Sequence, residues 1–264
     1  MGNHPFSSAG RRAAAALAAS VLAAAGGVAA VATPAAAVHG GRSASVTDHP
    51  YAMLIETPDG TQFCGGTLVA PTKVLTAAHC VADAENPREL VVIGGRTTLS
   101  SGKGTVRHIS SIKVHPKFEQ ATLTHDAAVL TLDRAMPYKP LPVAGPKDTA
   151  LYASGTKATI TGWGRTGTDS LATRLKSAEL RLAPLKKCDP FTFPTDTTAL
   201  RVCGVPAPGA HDSVCKGDSG GPLTAGGKLI GIVSTGNKYC DDTFPVSVFT
   251  RASAVAKDLG LPVG

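Results

Sequence analysis

Short β-favouring runs alternate with turn residues along most of this chain, and that pattern restricts its fold more than any other feature. The runs are Tyr51–Ile55, Thr67–Val69, Lys73–Thr76, Leu90–Ile93, Val106–Val114 and Ala127–Leu132, then Lys157–Thr161, Lys176–Leu182, Lys228–Ser234 and Val246–Thr250. The breaks carry Pro58-Asp59-Gly60, Gly94-Gly95 and Ser101-Gly102. Many short strands at this spacing build an all-β sandwich or barrel. Helical periodicity is absent before the C-terminus. Between the two sets of strands lies Met136-Pro137-Tyr138-Lys139-Pro140-Leu141-Pro142, followed by Gly145-Pro146. Proline removes the donors a ladder needs, so this stretch reads as a linker between two halves.

Residues 1–37 read as a secretory signal. Arg11-Arg12 precede an apolar run, Ala13–Ala32, and the segment ends in Ala35-Ala36-Ala37. A membrane span of that length is disfavoured, because Ala and Gly contribute little transfer energy and no basic stop follows. The Arg pair is only a weak twin-Arg pattern, and no second apolar stretch approaches spanning length. Six Cys in an exported chain argue for disulfides. Six Cys allow 15 pairings, among which spacing does not choose. No C-x-x-C pair exists to suggest zinc. The chain has 26 basic and 19 acidic residues, a formal +7. Without the two leader arginines the charge is +5, with no basic cluster to mark a nucleic-acid face. Aromatics are 5% and Trp163 is the sole Trp, so the core must be mainly aliphatic.

The chemistry concentrates in Cys215-Lys216-Gly217-Asp218-Ser219-Gly220-Gly221-Pro222. Glycines let the backbone turn N–H groups toward one point beside the Ser219 hydroxyl. Two such donors would bind the oxyanion formed when a hydroxyl attacks a carbonyl. A Gly-rich turn between strands is the alternative, and it would suffice if Ser219 had no base. His79, in Leu75-Thr76-Ala77-Ala78-His79-Cys80, is a candidate base. Asp126, in Thr124-His125-Asp126-Ala127-Ala128, is a candidate acid to orient it. A lone carboxylate opening an apolar strand would be costly without a partner. The remaining histidines after the leader (His39, His49, His108, His115, His125, His211) read as solvated or structural. His115 and His125 read as surface or strand-end residues, with His125 facing away from Asp126.

These three runs, in this order, resemble those of secreted chymotrypsin/trypsin-family serine proteases of a bacterial type, from about Val38 to near the C-terminus. The resemblance implies two antiparallel six-stranded β-barrels packed together, about 38–140 and about 145–250, with a short C-terminal helix over Ala252–Leu259. It implies a triad of His79, Asp126 and Ser219, with Gly217 and Ser219 as oxyanion donors. It pairs Cys64 with Cys80, Cys188 with Cys203, and Cys215 with Cys240. Gly162-Trp163-Gly164 matches a structural motif of the family. Cleavage after Ala37 would free Val38, whose ammonium would pair with Asp218. The leader site and the activating terminus then coincide, leaving no propeptide. Cleavage after Ala32, with later trimming of Thr33–Ala37, is the alternative.

Specificity is where the chain departs from the family. Six residues before Ser219, where the trypsin branch has Asp, stands Ser213, flanked by Asp212 and Val214. Adjacent extended residues face opposite ways, so Asp212 should miss the pocket. Ser213, Val214, Ser234, Gly236 and Ser247 would form an uncharged pocket favouring apolar side chains. The alternative is cleavage after Arg or Lys, with Asp212, Asp241 or Asp242 reaching in. Thr235 replaces a bulky aromatic of the family. Gly94–Val106, the calcium loop of some relatives, has no Asp or Glu, so no calcium is expected. The expected partners are polypeptide substrates and protein inhibitors of a secreted monomer, with no cofactor or metal, no nucleic acid, and no membrane insertion after signal removal. A catalytically silent binding relative is the rival class, and the complete triad speaks against it.

Overall fold

A computed structural model describes residues 38–168 and 172–264, apart from the side chain of Phe63. The expected leader, 1–37, lies outside the described residues. Strands β1 to β7 span Arg42–Ser43, Ala52–Glu56, Gln62–Ala70, Lys73–Thr76, Val91–Gly94, Thr105–Val114 and Ala128–Leu132. Strands β8 to β13 span Lys157–Gly162, Lys176–Ala183, Arg201–Pro206, Pro222–Ala225, Lys228–Gly236 and Ser247–Arg251. The only α-helix among the described residues is α1, Ala252–Val255.

The first barrel closes in the order β2-β3-β4-β7-β6-β5, with Met53 of β2 opposite Gly94 of β5. The second runs β9-β10-β13-β12-β11-β8 and closes through β8–β9. Strand β1 adds to its outside, Arg42 opposite Ser177. The expected all-β architecture of two six-stranded antiparallel barrels is therefore present.

Strand composition explains the burial. In β9, Leu180 and Leu182 point inward while Glu179 and Arg181 lie at the surface, where they form a 3.4 Å ion pair. Two-residue alternation of this kind is what one wet face and one packed face require. The second core is built from Ile160, Leu180, Leu223, Ile230 and Phe249. The first includes Leu68, Leu75, Val92 and Leu130, and the C-terminal Val255, Leu259 and Leu261 pack on it. Each such side chain contributes about 1.5–3 kcal/mol by burial.

The tail helix is shorter than the expected Ala252–Leu259. Gly260 takes a left-handed φ of +77°, and Leu261 N–H turns back to the carbonyl of Ala256 at 2.9 Å. Closure of this kind ends a helix. No helix of the described residues is long and apolar enough to cross a membrane.

Three disulfides join Cys64 to Cys80, Cys188 to Cys203 and Cys215 to Cys240, at separations of 16, 15 and 25 residues. Crosslinks across loops of this size each stabilise by about 3 kcal/mol in the chain-entropy view.

Candidate active site

Register places the first two candidates. In the β4–β7 pair, Thr76 lies opposite Ala128. His79 follows Thr76 by three residues and Asp126 precedes Ala128 by two, so both overhang the same barrel edge. A single 3₁₀ turn, Ala78–Cys80, presents His79, and the Cys80 disulfide anchors that turn to β3.

Asp126 has no exposed surface, yet its carboxylate accepts three hydrogen bonds. The His79 backbone N–H donates to Oδ1 at 2.9 Å, and His79 Nδ1 lies 2.8 Å from Oδ2. Ser234 Oγ donates to Oδ2 at 2.7 Å. Charge-assisted bonds of this kind offset the cost of burying a carboxylate. An ionised carboxylate only accepts, so Nδ1 carries the imidazole hydrogen and Nε2 keeps the lone pair.

The glycine loop holds Ser219 against the same edge. Gly65 N–H donates to the Ser219 carbonyl at 2.8 Å, and Gly220 N–H to the Val233 carbonyl at 2.8 Å. Gly65 neighbours Cys64, whose disulfide partner Cys80 neighbours His79. Gly220 has φ +80°, and a Cβ there would lie 2.2 Å from Thr76 Oγ1, so no other residue fits. Asp218 N–H and Gly221 N–H are spent within the loop. The N–H groups of Gly217 and Ser219 donate to no acceptor among the described residues. No hydrogen bond joins Ser219 Oγ to His79 among them either. Catalytic bonds are often long in a resting enzyme and tighten with substrate.

Asp218 points the other way, into the second barrel. Gly164 N–H donates to Oδ1 at 2.8 Å and Cys215 N–H to Oδ2 at 2.9 Å. Burial pushes its carboxyl up to about 7, the two N–H donors pulling back only in part. No cation pairs with it among the described residues. Added Cβ atoms at Gly162 and Gly164 would meet this side chain at 2.2 and 2.5 Å, which accounts for the Gly-Trp-Gly motif. Val38 is completely buried. The His39 carbonyl accepts from Ser213 N–H at 3.0 Å, and the His39 imidazole bonds Asp242 at 2.7 Å.

Beside Ser219 opens a cavity of about 110 Å³, lined by Val214, Lys216, Ser234, Thr235, Gly236, Asn237 and Lys238 among others. Ser213 lies fully buried behind it, its Oγ accepting from Asn237 Nδ2 at 3.0 Å. Ser247 Oγ accepts from Val214 N–H at 3.0 Å. A Cβ on Gly236 would lie 2.6 Å from the Val246 carbonyl. No carboxylate of the described residues lines the cavity. Asp212 packs on Gly40, with Arg42 and His39 nearby. Asp242 is taken by His39 and His211, and Asp241 Oδ1 accepts from Thr243 N–H. Asn237 was not among the sequence candidates, because only the fold carries its amide to Ser213. A larger cavity of about 720 Å³ on the outer face of the first barrel, beside Pro87, His108 and Asp133, includes none of the expected site residues.

Of the two readings of His115, strand-end holds, since it directly follows β6, but surface needs correction: it is 2% exposed and stacks on His125, ring centroids 4.8 Å apart. The C-terminal tail covers it, with Asp258 3.4 Å from Nε2. Burial is the first cause that lowers the affinity of both imidazoles for protons; His125 and Lys117 add to it at His115, and Lys117 and Arg201 at His125.

Comparison with known proteins agrees with this architecture. The family model described as Trypsin matches residues 38–258. A protein named trypsin from Saccharopolyspora erythraea is 41% identical over 81% of this chain and 93% of its own length. Human granzyme M is 32% identical, over 81% of this chain and 84% of its own. A trypsin from Phaedon cochleariae is 31% identical, over 84% and 86%. With the paired barrels and the histidine–carboxylate pair at their edge, these matches mean that the chain belongs to the trypsin family and is a serine-type endopeptidase.

Proposed function

We propose that the chain is a secreted endopeptidase that cleaves polypeptides after apolar residues through an acyl-enzyme on Ser219. In this reading His79 Nε2 takes the Ser219 proton as the hydroxyl attacks the scissile carbonyl, then delivers it to the leaving amine. Asp126 keeps the imidazole in the productive tautomer and stabilises the imidazolium. The three donors on its carboxylate support that role. The unspent N–H groups of Gly217 and Ser219 are suited to the oxyanion, where losing one donor costs about 3–4 kcal/mol of barrier. Ser234–Gly236, on the edge of the cavity, would pair with substrate backbone as an added strand.

Residues 1–37 act as the export signal in this reading, and cleavage after Ala37 both removes it and frees Val38. The new ammonium then neutralises Asp218 and sets the glycine loop. Three disulfides suit an oxidising compartment.

The observation that supports the specificity is the cavity lining: the uncharged Asn237, whose amide is bonded to the equally uncharged Ser213 buried behind it. Lys216 and Lys238 flank the opening and repel a cationic side chain. Burying a guanidinium without a partner costs several kcal/mol. Two amide substrates that differ only in Phe or Arg before the scissile bond should therefore differ in kcat/KM by about 100-fold or more, in favour of Phe. Faster cleavage after Arg would overturn this preference.

A further inference from the structure

Arg201, the first residue of β10, is 3% exposed, and none of the sequence motifs points to it. Its guanidinium reaches in three directions. Nε donates to Asp196 Oδ1 at 3.0 Å, Nη1 to Ser234 Oγ at 3.1 Å, and Nη2 to the Thr122 carbonyl at 2.9 Å. We propose that Arg201 is a positioning residue for the catalytic carboxylate, acting on Asp126 through Ser234 and through the loop that carries Asp126. The proposal rests on the triad reading above.

The argument is one of hydrogen-bond polarity. A serine hydroxyl has a single hydrogen, and a guanidinium only donates. With Nη1–H on the Ser234 oxygen, the one Ser234 hydrogen is left for Asp126 Oδ2, 2.7 Å away. Without Arg201 that hydroxyl is free to rotate, and its lone pairs can face the carboxylate instead of its hydrogen. The second arm acts on the backbone. Thr122 lies four residues before Asp126, in the turn closed by the Glu119–Thr124 bridge. One rigid fork therefore holds both the donor to the carboxylate and the segment leading into it, a geometry that the single point charge of a lysine does not reproduce.

Asp196 fixes the fork from behind. It is 5% exposed in its side chain, and its Oδ2 accepts from Phe193 N–H at 2.9 Å. A buried ion pair by itself is weak evidence for stability, since desolvation consumes much of the attraction. The Arg201–Asp196 pair gains a purpose from the third bond, to Ser234.

The test uses the processed enzyme, with kcat referred to sites titrated by a serine-directed phosphonate. Arg201→Met should lower kcat by about 10- to 100-fold with KM within about two-fold, the signature of a misplaced catalytic group. Arg201→Met combined with Asp196→Asn removes both buried charges, so that no unpaired carboxylate endangers folding, and should show the same loss. Arg201→Lys should recover little of it. In a Ser234→Ala background, Arg201→Met should lower kcat by a clearly smaller factor than in the wild type, because only the Thr122 arm is then left to lose. Full kcat in the charge-free pair, full rescue by lysine, or an undiminished loss in the Ser234→Ala background would each overturn the proposal. A wild-type enzyme that the phosphonate does not label on Ser219 would instead undo the triad reading.

Discussion

Asp126→Asn is expected to lower kcat about 10⁴-fold while leaving the barrels folded. The reason lies in which atoms can donate. Asp126 presents two acceptor oxygens to three donors. An asparagine of the same shape presents one oxygen and one NH₂. If its oxygen keeps the His79 backbone N–H, its NH₂ faces His79 Nδ1 and the Ser234 hydroxyl. Nδ1 must then accept, which moves the imidazole hydrogen to Nε2 and leaves Ser219 without a base. Steady-state kinetics on the Phe amide substrate checks this, with KM nearly unchanged. A loss smaller than about ten-fold would mean that Asp126 does not set the tautomer.

The second large effect concerns Asp218 and the freeing of Val38. With residues retained upstream of Val38, burial holds the Asp218 carboxyl protonated up to about pH 7, against 3.8 for the ordinary group. The folded chain thus binds a proton that the unfolded chain has released. This contribution to stability is fully present below about pH 3.8 and is lost as pH rises through about 7, on the order of 4 kcal/mol in all. An ammonium supplied by Val38 removes the cause, since a paired carboxylate no longer favours the proton. Denaturant unfolding from pH 4 to 8 should show this decline in a Ser219→Ala chain that keeps upstream residues. It should be absent when the same chain is processed to Val38, and absent in the unprocessed chain carrying Asp218→Asn. Equal pH slopes in the processed and unprocessed chains would contradict the pairing of Val38 with Asp218.

Much of this site is legible in the sequence because its residues lie in short runs with distinctive neighbours. Gly217, Ser219 and Gly220 announce a tight loop, and the Gly220 position tolerates no side chain. The β4 run Lys73–Thr76 has the strand bounds found in the fold. What stays hidden depends on contacts between distant parts of the chain. Asn237 meets Ser213 across 24 residues, and Arg201 meets Ser234 across 33. No local pattern announces either contact. Arg201 opens a strand whose first four residues are all buried, which makes a charged residue there unexpected. His115 misleads because the proline after it suggests an exposed turn, whereas the tail reaches it with Asp258, 3.4 Å from its Nε2. The disulfides show the same division: six cysteines imply crosslinks, but only the fold or the family fixes which of them pair.

The central claim is that Ser219 is made nucleophilic by His79 across the edge of the first barrel. Treating the processed enzyme with a serine-directed phosphonate and mapping the adduct by mass spectrometry tests it most directly. The account predicts one adduct per chain, on the peptide carrying Ser219, and a His79→Ala variant that remains unlabelled. No adduct, an adduct on another residue, or labelling of Ser219 that is indifferent to His79→Ala would contradict it.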